Sequence, residues 1–340
     1  MKNFNVLVTC ASALSDGLYG CLTDNEDGVK VNVYAANASE FDLTRSNAVA
    51  GAFLVPKISD PSYFTAILYI CIGYDIDIIV PKATLELEWM AQHKEKFEEY
   101  GIKVSVTSLE SLRVANNKVM LNRVFGKYMP AQCEPCDWKS ARNFLQQHNR
   151  ICVKAVNQCG GRGFAIVDDY KATDIMLFHR FGQKHYITRK TFREVVLNQN
   201  NSLLLQEYVP GKDYTVSLLC DNGKVVCEVG YVGYVMEFGS IMYGEIQPNQ
   251  MAFDIANDIV RYLRLDGNIG VDFILKDDGS VVLLEVNPRV NASLPFVRKA
   301  GCNLLYQRCR MLLGEKPTCK SEDAKVGLKM KKHFAAEYYF

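Results

Sequence analysis

The stretch of sequence that most restricts the fold runs from residue 270 to residue 289 and reads GVDFILKDDGSVVLLEVNPR. Asp278-Gly279 stands between two apolar runs and is a strong two-residue turn signal. It predicts a β-hairpin in which Asp277 faces Ser280. The chain is therefore expected to contain a long pair of antiparallel strands whose register can be counted from the turn.

The same register places two carboxylates opposite each other. Asp272 and Glu285 are predicted to be direct cross-strand partners, and Asn287 lies two residues beyond Glu285 on the same side. Two like charges in this arrangement destabilise a bare hairpin, and a divalent cation relieves their repulsion. Oxygen-only ligands that leave room for phosphate oxygens favour magnesium over zinc or calcium. The alternative is a pair of exposed acids at a strand end whose parity is incidental.

A second predicted hairpin carries a lysine and a glycine-rich turn. Its strands are residues 151–156 and 164–167, and the turn between them reads NQCGGRG. Lys154 lies inside the first apolar strand, where a charge is costly unless it meets a partner. A glycine turn can bend over a ligand and present backbone N–H groups to phosphate oxygens. Together the two features indicate a phosphate site.

Residues 1–112 alternate short apolar runs with stretches that are compatible with helices. Strands are predicted at 6–9, 31–34, 52–55, 76–80 and 102–106, and helices at 63–72 and 85–100. This rhythm predicts a parallel sheet covered by helices. The first turn, residues 9–17, lacks the glycine triplet with which a backbone approaches a pyrophosphate, so we expect no dinucleotide there.

Length and composition set the outer limits. A chain of 340 residues is too long for one ordinary core, and we divide it at 1–112, 113–205, 206–315 and 316–340. The net charge of +1 favours neither a nucleic-acid partner nor a membrane surface. The apolar runs are far shorter than the roughly 20 residues of a membrane span. Scattered cysteines without a signal peptide indicate a reduced, cytoplasmic protein.

The order of these features resembles the ATP-grasp superfamily. The matching features are Lys118 at the start of a predicted helix, Lys154 before the glycine-rich turn, Glu-Tyr-Val at 207–209, and Asp272 followed by Glu-Val-Asn-Pro-Arg at 285–289. The last run most resembles the carbamoyl-phosphate-synthetase-like branch, which includes the pyrrolysine-biosynthesis ligase and uncharacterised amino-acid ligases. The resemblance covers about residues 1–315. It implies an α/β fold in which two α+β lobes clasp ATP, preceded by a Rossmann-like pre-ATP-grasp domain with a parallel sheet.

The resemblance also implies roles for individual residues. The ATP phosphates would be held by Lys118 and Lys154, under a lid loop formed by Gly160, Gly161, Arg162 and Gly163. Adenine and ribose would be held by Glu207, backbone atoms of Tyr208 or Val209, Asp213, and an apolar floor of Ile274 and Leu284. Strict alternation would put Leu284 on the opposite face from Glu285. Two magnesium ions, or manganese in their place, would be held by Asp272, Glu285 and Asn287.

These groups permit phosphoryl transfer from ATP to a carboxylate, with Lys154 and Arg289 as the catalytic residues that the resemblance implies. The expected function is that of an ATP-dependent carboxylate–amine ligase, which makes an acyl phosphate that an amine then attacks. Its partners would be small carboxylates and amines, and a homodimer is expected only by analogy with relatives. Two alternatives stay open. One is phosphorylation of carbamate or carboxylate of the carbamoyl-phosphate-synthetase type, and the other is a non-catalytic ATP-binding regulatory module.

One departure from the family concerns positive charge. Many members carry an arginine or lysine on the strand and loop after the hinge, directed at the γ-phosphate or the acyl phosphate. In this sequence no basic residue lies between Lys224 and Arg261. We therefore expect Arg162, Arg289 or another lobe to supply that charge.

Overall fold

The structure is a computed structural model that describes residues 3–12, 15–43, 49–155, 163–173, 185–198, 202–237 and 240–333. Within these ranges the strands form three sheets, of five, five and six strands. No helix in the same ranges combines the length and the apolar character needed to cross a membrane.

The first sheet is parallel, as the alternating pattern predicts. Its strands are β1 (Phe4–Thr9), β2 (Val31–Asn37), β3 (Gly51–Leu54), β4 (Ile78–Pro81) and β5 (Lys103–Val104). The helices of this region are α1 (Asp16–Thr23), α2 (Tyr63–Gly73), α3 (Leu87–Glu98) and α4 (Leu109–Ala115). The strand order is β3-β2-β1-β4-β5, and every pair is parallel. The order reverses between β1 and β4, where the carboxyl ends of the two strands meet.

The middle of the chain forms a small mixed sheet. Its elements are α5 (Lys118–Phe125), β6 (Gln132–Cys133), α6 (Trp138–Gln147), β7 (Ile151–Ala155), β8 (Phe164–Val167), α7 (Asp169–Thr173), β9 (Tyr186–Ile187), α8 (Arg189–Leu197) and β10 (Leu203–Glu207). The strand order is β6-β10-β7-β8-β9. Helices α6 and α8 bury their apolar residues against this sheet.

The third sheet is antiparallel and contains the predicted metal hairpin. Its elements are β11 (Lys212–Asp221), β12 (Lys224–Glu237), β13 (Ser240–Ile246), α9 (Gln250–Leu263), β14 (Gly267–Leu275), β15 (Val281–Asn287), α10 (Leu294–Lys299), α11 (Leu304–Leu312) and β16 (Lys329–Lys331). The strand order is β15-β14-β11-β12-β13-β16.

Helix α9 shows how sequence sets the layers of this sheet. The Asn249 side chain accepts a hydrogen bond from the N–H of Ala252 and so begins the helix. The helix ends at Leu263, after which Arg264 takes a left-handed φ of 50°. Its buried residues recur at helical spacing and pack on one face of the third sheet, together with α4 and α5.

The other face of the third sheet meets the region that carries the first sheet, the predicted first domain (residues 1–112). Helices α10 and α11 contribute buried residues to a single core that also contains residues of β1, β2, α1 and β12. The opposite face of the first sheet is covered by α2 and α3. The first and third sheets are therefore joined through a shared core, although their strands lie far apart in the sequence.

Candidate active site

One face of the third sheet carries the three predicted metal ligands together with Asp213 and Ile274. Three cross-strand rows run over strands β11, β14 and β15, and from the turn inward they are Asp213–Ile274–Val282, Thr215–Asp272–Glu285 and Ser217–Gly270–Asn287. The intervening residues, such as Phe273 and Leu283, point into the core under α9. A row with two apolar residues, a row with both carboxylates and a row with the amide therefore follow one another on the face that α9 does not cover.

The predicted pairing of Asp272 with Glu285 is confirmed, but the register near the turn is different. The N–H of Lys276 donates to the carbonyl of Ser280 at 2.9 Å, so Asp277 does not face Ser280 as expected. The turn has three residues rather than two, and it ends at Gly279 with a left-handed φ of 83°. A β-bulge beside Asp272 corrects the one-residue offset and restores the predicted pair.

The same bulge changes the position of Leu284. Phe273 pairs with Leu283 and Asp272 pairs with Glu285, which leaves Leu284 as the extra residue of β15. Leu283 and Val286 are buried, whereas Leu284 and Glu285 are both half-buried. Side chains therefore do not alternate strictly between the two faces at this point of β15. The objection that Leu284 must lie on the face opposite Glu285 no longer applies.

The two carboxylates and the amide are in direct contact. The Nδ2 of Asn287 donates to Asp272 Oδ2 at 2.7 Å and to Glu285 Oε1 at 3.2 Å. The Thr215 hydroxyl donates to Asp272 Oδ1 at 2.6 Å. On the far side, Lys118 Nζ lies 3.1 Å from Glu285 Oε2. The three predicted metal ligands thus form one connected cluster.

The two carboxylates differ in their electrostatic surroundings. Burial raises the pKa of Asp272 to about 7, and the Glu285 charge adds to the effect. Burial also acts to raise the pKa of Glu285, but the ammonium groups of Lys118 and Lys154 outweigh it, and that pKa is lowered. Glu285 is therefore the ionised member of the pair, while Asp272 is the one that gains most from a cation.

The donor set fits a small, hard cation. Asn287 now presents its NH2 group to both carboxylates, and half a turn about its last side-chain bond would present its oxygen instead. Among the described residues, no cluster of three or more His, Cys, Asp and Glu is arranged to hold a metal ion. A site here would depend on two carboxylates, one amide and oxygens from a ligand, which suits Mg²⁺ better than Zn²⁺.

Two lysines from different elements face this cluster. Asn117 caps helix α5 by accepting from the N–H groups of Val119 and Met120, and this places Lys118 in the first turn. Lys154 comes from the middle of β7, and its Nζ donates to Gln206 Oε1 at 2.6 Å. Burial lowers the pKa of Lys154, although the Glu285 charge partly opposes the shift.

The predicted hinge follows the end of β10. Glu207 is the last residue of the strand, and its side chain is 44% exposed, with His148 Nδ1 at 3.9 Å. The N–H of Tyr208 donates to the carbonyl of Arg150. Among the described residues the N–H of Val209 has no such partner, so of the two predicted backbone contacts Val209 is the better donor to a ligand.

The glycine-rich turn lies largely outside the described residues. Gly160, Gly161 and Arg162 fall there, and so their predicted role stays a prediction. Gly163 is described, with a left-handed φ of 67°, and its carbonyl accepts from the N–H of Ala155. It closes the end of the hairpin that carries Lys154.

Arg289 connects the cluster of Asp272, Glu285 and Asn287 with the first domain. Its Nη2 donates to Asn287 Oδ1 at 3.4 Å, and its Nε donates to Thr84 Oγ1 at 2.9 Å. A third bond, from Nη1 to the Val290 carbonyl, holds the guanidinium in place. The side chain therefore spans the boundary between the third sheet and the loop after β4.

Sequence reasoning did not predict three contacts of the site residues, which are those of Thr215 with Asp272, Gln206 with Lys154 and Thr84 with Arg289. Thr215 lies two residues from Asp213 on β11, so the parity of that strand could have indicated it. Gln206 meets Lys154 only across the β7–β10 pair, and no local signal links residues 52 apart. Thr84 lies in another domain from Arg289, and only the folded chain brings the two together.

Comparison with known families shows to which of them the chain belongs. A family model described as "ATP-grasp domain" matches residues 115–293, which is more than half of the chain. The chain belongs to the ATP-grasp family. A second model, described as "PylC-like, N-terminal domain", matches residues 23–105 of this ATP-grasp protein. The resemblance to the ATP-grasp superfamily and the fold class are thus confirmed.

Solved structures share the fold at low sequence identity. The biotin carboxylase domain of Hydrogenobacter thermophilus 2-oxoglutarate carboxylase, with MgADP and bicarbonate, has a TM-score of 0.67 and 17% identity over 96% of this chain and 73% of that one. The L-amino acid ligase of Bacillus licheniformis has a TM-score of 0.64 and 16% identity, over 92% and 75%. The N5-carboxyaminoimidazole synthetase of Staphylococcus aureus with ADP has 0.66 and 9%, over 94% and 80%.

Proposed function

We propose that this ATP-grasp protein is an ATP-dependent carboxylate–amine ligase that acts through an acyl phosphate with magnesium. One observation carries the proposal. Asp272, Glu285 and Asn287 form a single oxygen-rich cluster, and the ammonium groups of Lys118 and Lys154 both act on Glu285. Such an arrangement of anionic ligands beside two cations suits the phosphate tail of a magnesium–nucleotide complex.

The chain's own residues would divide the work as follows. Glu207 and the N–H of Val209 would bind adenine, Asp213 the ribose, and Ile274 with Leu284 would form the apolar floor. Lys118 and Lys154 would neutralise phosphate charge, and the loop from Gly160 to Gly163 would cover it. Asp272, Glu285 and Asn287 would hold Mg²⁺, which when bound supplies further neutralisation of the phosphate oxygens. Arg289 would orient the carboxylate that is to be phosphorylated.

The reaction then needs no nucleophile from the protein. A carboxylate oxygen of the substrate attacks the γ-phosphorus, and the bond from that phosphorus to the ADP oxygen breaks. The amine nitrogen next attacks the acyl carbon, phosphate leaves with the bonding electrons, and the nitrogen releases a proton. The residues contribute by positioning, by exclusion of water and by charge, which are the main sources of catalysis in phosphoryl transfer.

The L-amino acid ligase and the N5-carboxyaminoimidazole synthetase support the proposal by their shared fold. The lack of a basic residue between Lys224 and Arg261 is the one sequence feature that favours the non-catalytic alternative. A measurement of ATP turnover distinguishes the ligase from the non-catalytic module.

The test is release of ADP from Mg-ATP across a panel of amino-acid pairs. For a pair that stimulates release, Glu285→Gln should reduce the rate of ADP release roughly 10- to 100-fold, because the variant side chain is a weaker magnesium ligand. The matched control is Asp277→Asn, since Asp277 is an exposed acid in the turn of the same hairpin and should behave as wild type.

The acyl phosphate is tested with a substrate whose carboxylate carries ¹⁸O. One labelled oxygen should appear in the released phosphate. Label in AMP would instead indicate an acyl adenylate and would contradict the mechanism. Tight ATP binding without release for any pair would favour the non-catalytic module.

A further inference from the structure

A second group of cationic and hydroxyl side chains lies in the first domain, beside Arg289. Lys82 directly follows β4, and its Nζ donates to Ser12 Oγ at 2.8 Å and to Ser15 Oγ at 2.6 Å. The two serines belong to the turn after β1. Lys82 therefore bridges the carboxyl ends of the two strands between which the strand order reverses.

The position of this group favours a ligand. In open α/β sheets, ligands bind in the crevice outside the carboxyl ends of the strands at the point where the strand order reverses. Here that crevice opens toward the third sheet, because Thr84, two residues after Lys82, accepts the hydrogen bond from Arg289 Nε. Lys82 and Arg289 therefore stand on the same side of the domain boundary.

The backbone around Lys82 is held in place by a buried acid. Glu86 is 1% exposed, and its Oε1 accepts from the N–H groups of Lys82 and Ala83 at 2.8 and 2.9 Å. These bonds use the Glu86 carboxylate to fix the turn. The Lys82 ammonium is left with hydroxyl partners, and among the described residues no carboxylate lies within ion-pair distance of it.

A largely buried ammonium without a carboxylate partner is costly. Burial lowers the pKa of Lys82 and the positive charge of Arg289 adds to the effect, although the charges of Glu86 and Asp42 partly oppose it. An anion bound to the Lys82 ammonium would relieve this cost. Hydroxyl groups such as those of Ser12 and Ser15 can also donate to an anion, because each has one O–H to direct.

We infer that Lys82, Ser12 and Ser15 form a subsite for an anionic group of the amine substrate, a carboxylate or a phosphate that takes no part in phosphoryl transfer. This inference rests on the proposed function. Arg289 and the metal cluster hold the reacting end, and the Lys82 subsite holds the far end of the second substrate. The enzyme would thus select amines that carry a negative charge, such as amino acids, over neutral amines and polyamines.

The test compares Lys82→Met with wild type on the amine that best stimulates ADP release. The KM for that amine should rise roughly 10- to 100-fold, the loss of one charge-assisted contact, while kcat and the KM for ATP change less than about threefold. Lys82→Arg should recover part of the loss. Lys57→Met, which removes an exposed lysine of the same domain, is the matched control.

A second experiment varies the negative charge on the amine substrate. Wild type should discriminate against the amide and the decarboxylated form of the same amino acid, and Lys82→Met should not. A preference for phosphoethanolamine over ethanolamine would identify phosphate, rather than carboxylate, as the bound group. Equal use of charged and neutral amines by wild type would overturn the inference and leave the ligase proposal intact.

If no amino-acid pair is turned over, a measurement of anion binding tests the subsite independently of the ligase proposal. Calorimetric titration with acetate and with inorganic phosphate, in the presence of Mg²⁺ and a non-hydrolysable ATP analogue, should show binding to wild type that Lys82→Met lacks. Ser12→Ala should weaken binding without a change in melting temperature, which guards against a folding defect in the lysine variant. Failure of wild type to bind either anion would refute the subsite.

Discussion

Asp272 shows at the scale of a single residue how a candidate metal site lowers the stability of the protein without a cation. Its carboxylate lies beside that of Glu285 in a partly buried row, so that the pKa is raised to about 7. The Thr215 hydroxyl and the Asn287 amide each donate one hydrogen bond to it, but neither neutralises the charge. Between pH 3.8 and about pH 7, a protein without a cation therefore retains a proton on Asp272 that the unfolded chain would release.

This retained proton makes stability depend on pH. Because the folded pKa of Asp272 lies above its unfolded value of 3.8, the folded state binds more protons between the two values, and stability falls as pH rises through about 7. In metal-free buffer, the free energy of unfolding of wild type relative to Asp272→Asn should fall between pH 5 and pH 8, by up to a few kcal/mol.

Added Mg²⁺ should abolish this pH-dependent decrease in the free energy of unfolding of wild type, and it should have little effect on Asp272→Asn. Urea unfolding at each pH, with and without Mg²⁺, measures both effects. Parallel pH curves for the two proteins would show that Asp272 is not the titrating group.

Much of this residue-scale arrangement could be predicted because it follows parity within one hairpin. Asp272, Glu285 and Asn287 were identified from a turn signal and a two-residue period, although the pairing that forms also depends on a longer turn and a bulge. The partners of Lys154 and Arg289 could not be predicted in the same way. Gln206 and Thr84 approach them from other strands and another domain, and that approach depends on packing that no local pattern encodes.

At the scale of elements, the hairpin of β14 and β15 departs from the simple pattern in two places that compensate each other. The three-residue turn shifts the register by one, and the bulge at Leu284 shifts it back. The pairing of Asp272 with Glu285 was predicted correctly from a two-residue turn, although the turn that forms has three residues. The agreement holds only beyond the bulge, on the side of Glu285 and Asn287.

The bulge predicts different outcomes for two single-residue deletions in β15. Removal of Leu284 should keep every cross-strand pair, because Leu284 is the residue without a partner. The variant should fold and retain Mg²⁺-dependent ATP use, with the KM for ATP raised severalfold by loss of apolar floor. Removal of Val286 should instead place Glu285 and Asn287 on opposite faces, because the side-chain period of a strand is two.

Steady-state kinetics against Mg²⁺ and circular dichroism on both deletions check this. We expect the Val286 deletion to lose Mg²⁺-dependent activity by at least roughly 100-fold, since the ligand cluster is split. If both deletions behaved alike, the bulge would have no bearing on the site.

At the scale of the whole molecule, a buried ion pair connects the parts that hold the site. Arg308 of α11 is bidentate to Asp266, with Nη1–Oδ1 at 3.1 Å and Nη2–Oδ2 at 2.6 Å, and its side chain is 4% exposed. The N–H of Asp266 donates to the Thr107 hydroxyl of the first domain. The pair thus joins the helix–strand connection before β14 to the first domain.

Loss of one partner of this pair should be costly. Arg308→Ala leaves the Asp266 carboxylate uncompensated and should lower the free energy of unfolding by about 3–5 kcal/mol. The control is Arg261→Ala. Arg261 makes a similar contact with Asp258 but is 78% exposed, so its loss should cost less than about 1 kcal/mol. Chemical denaturation of the two variants measures the difference, and equal losses would contradict the assigned role of burial.

The core shared by β1, α10 and α11 also means that β1 can complete its packing only after α10 and α11 have been synthesised. Phe4 stacks on Tyr306, and the Asn303 side chain donates to the carbonyl of Cys21, so the first strand finishes its packing against nearly the last helix. The roughly 200 residues between Val106 and Cys309 take a ribosome on the order of 10–40 s to add. During that interval the emerging first sheet keeps part of one apolar face uncovered. A nascent chain that stalls before α10 would carry that face as a binding surface for chaperones.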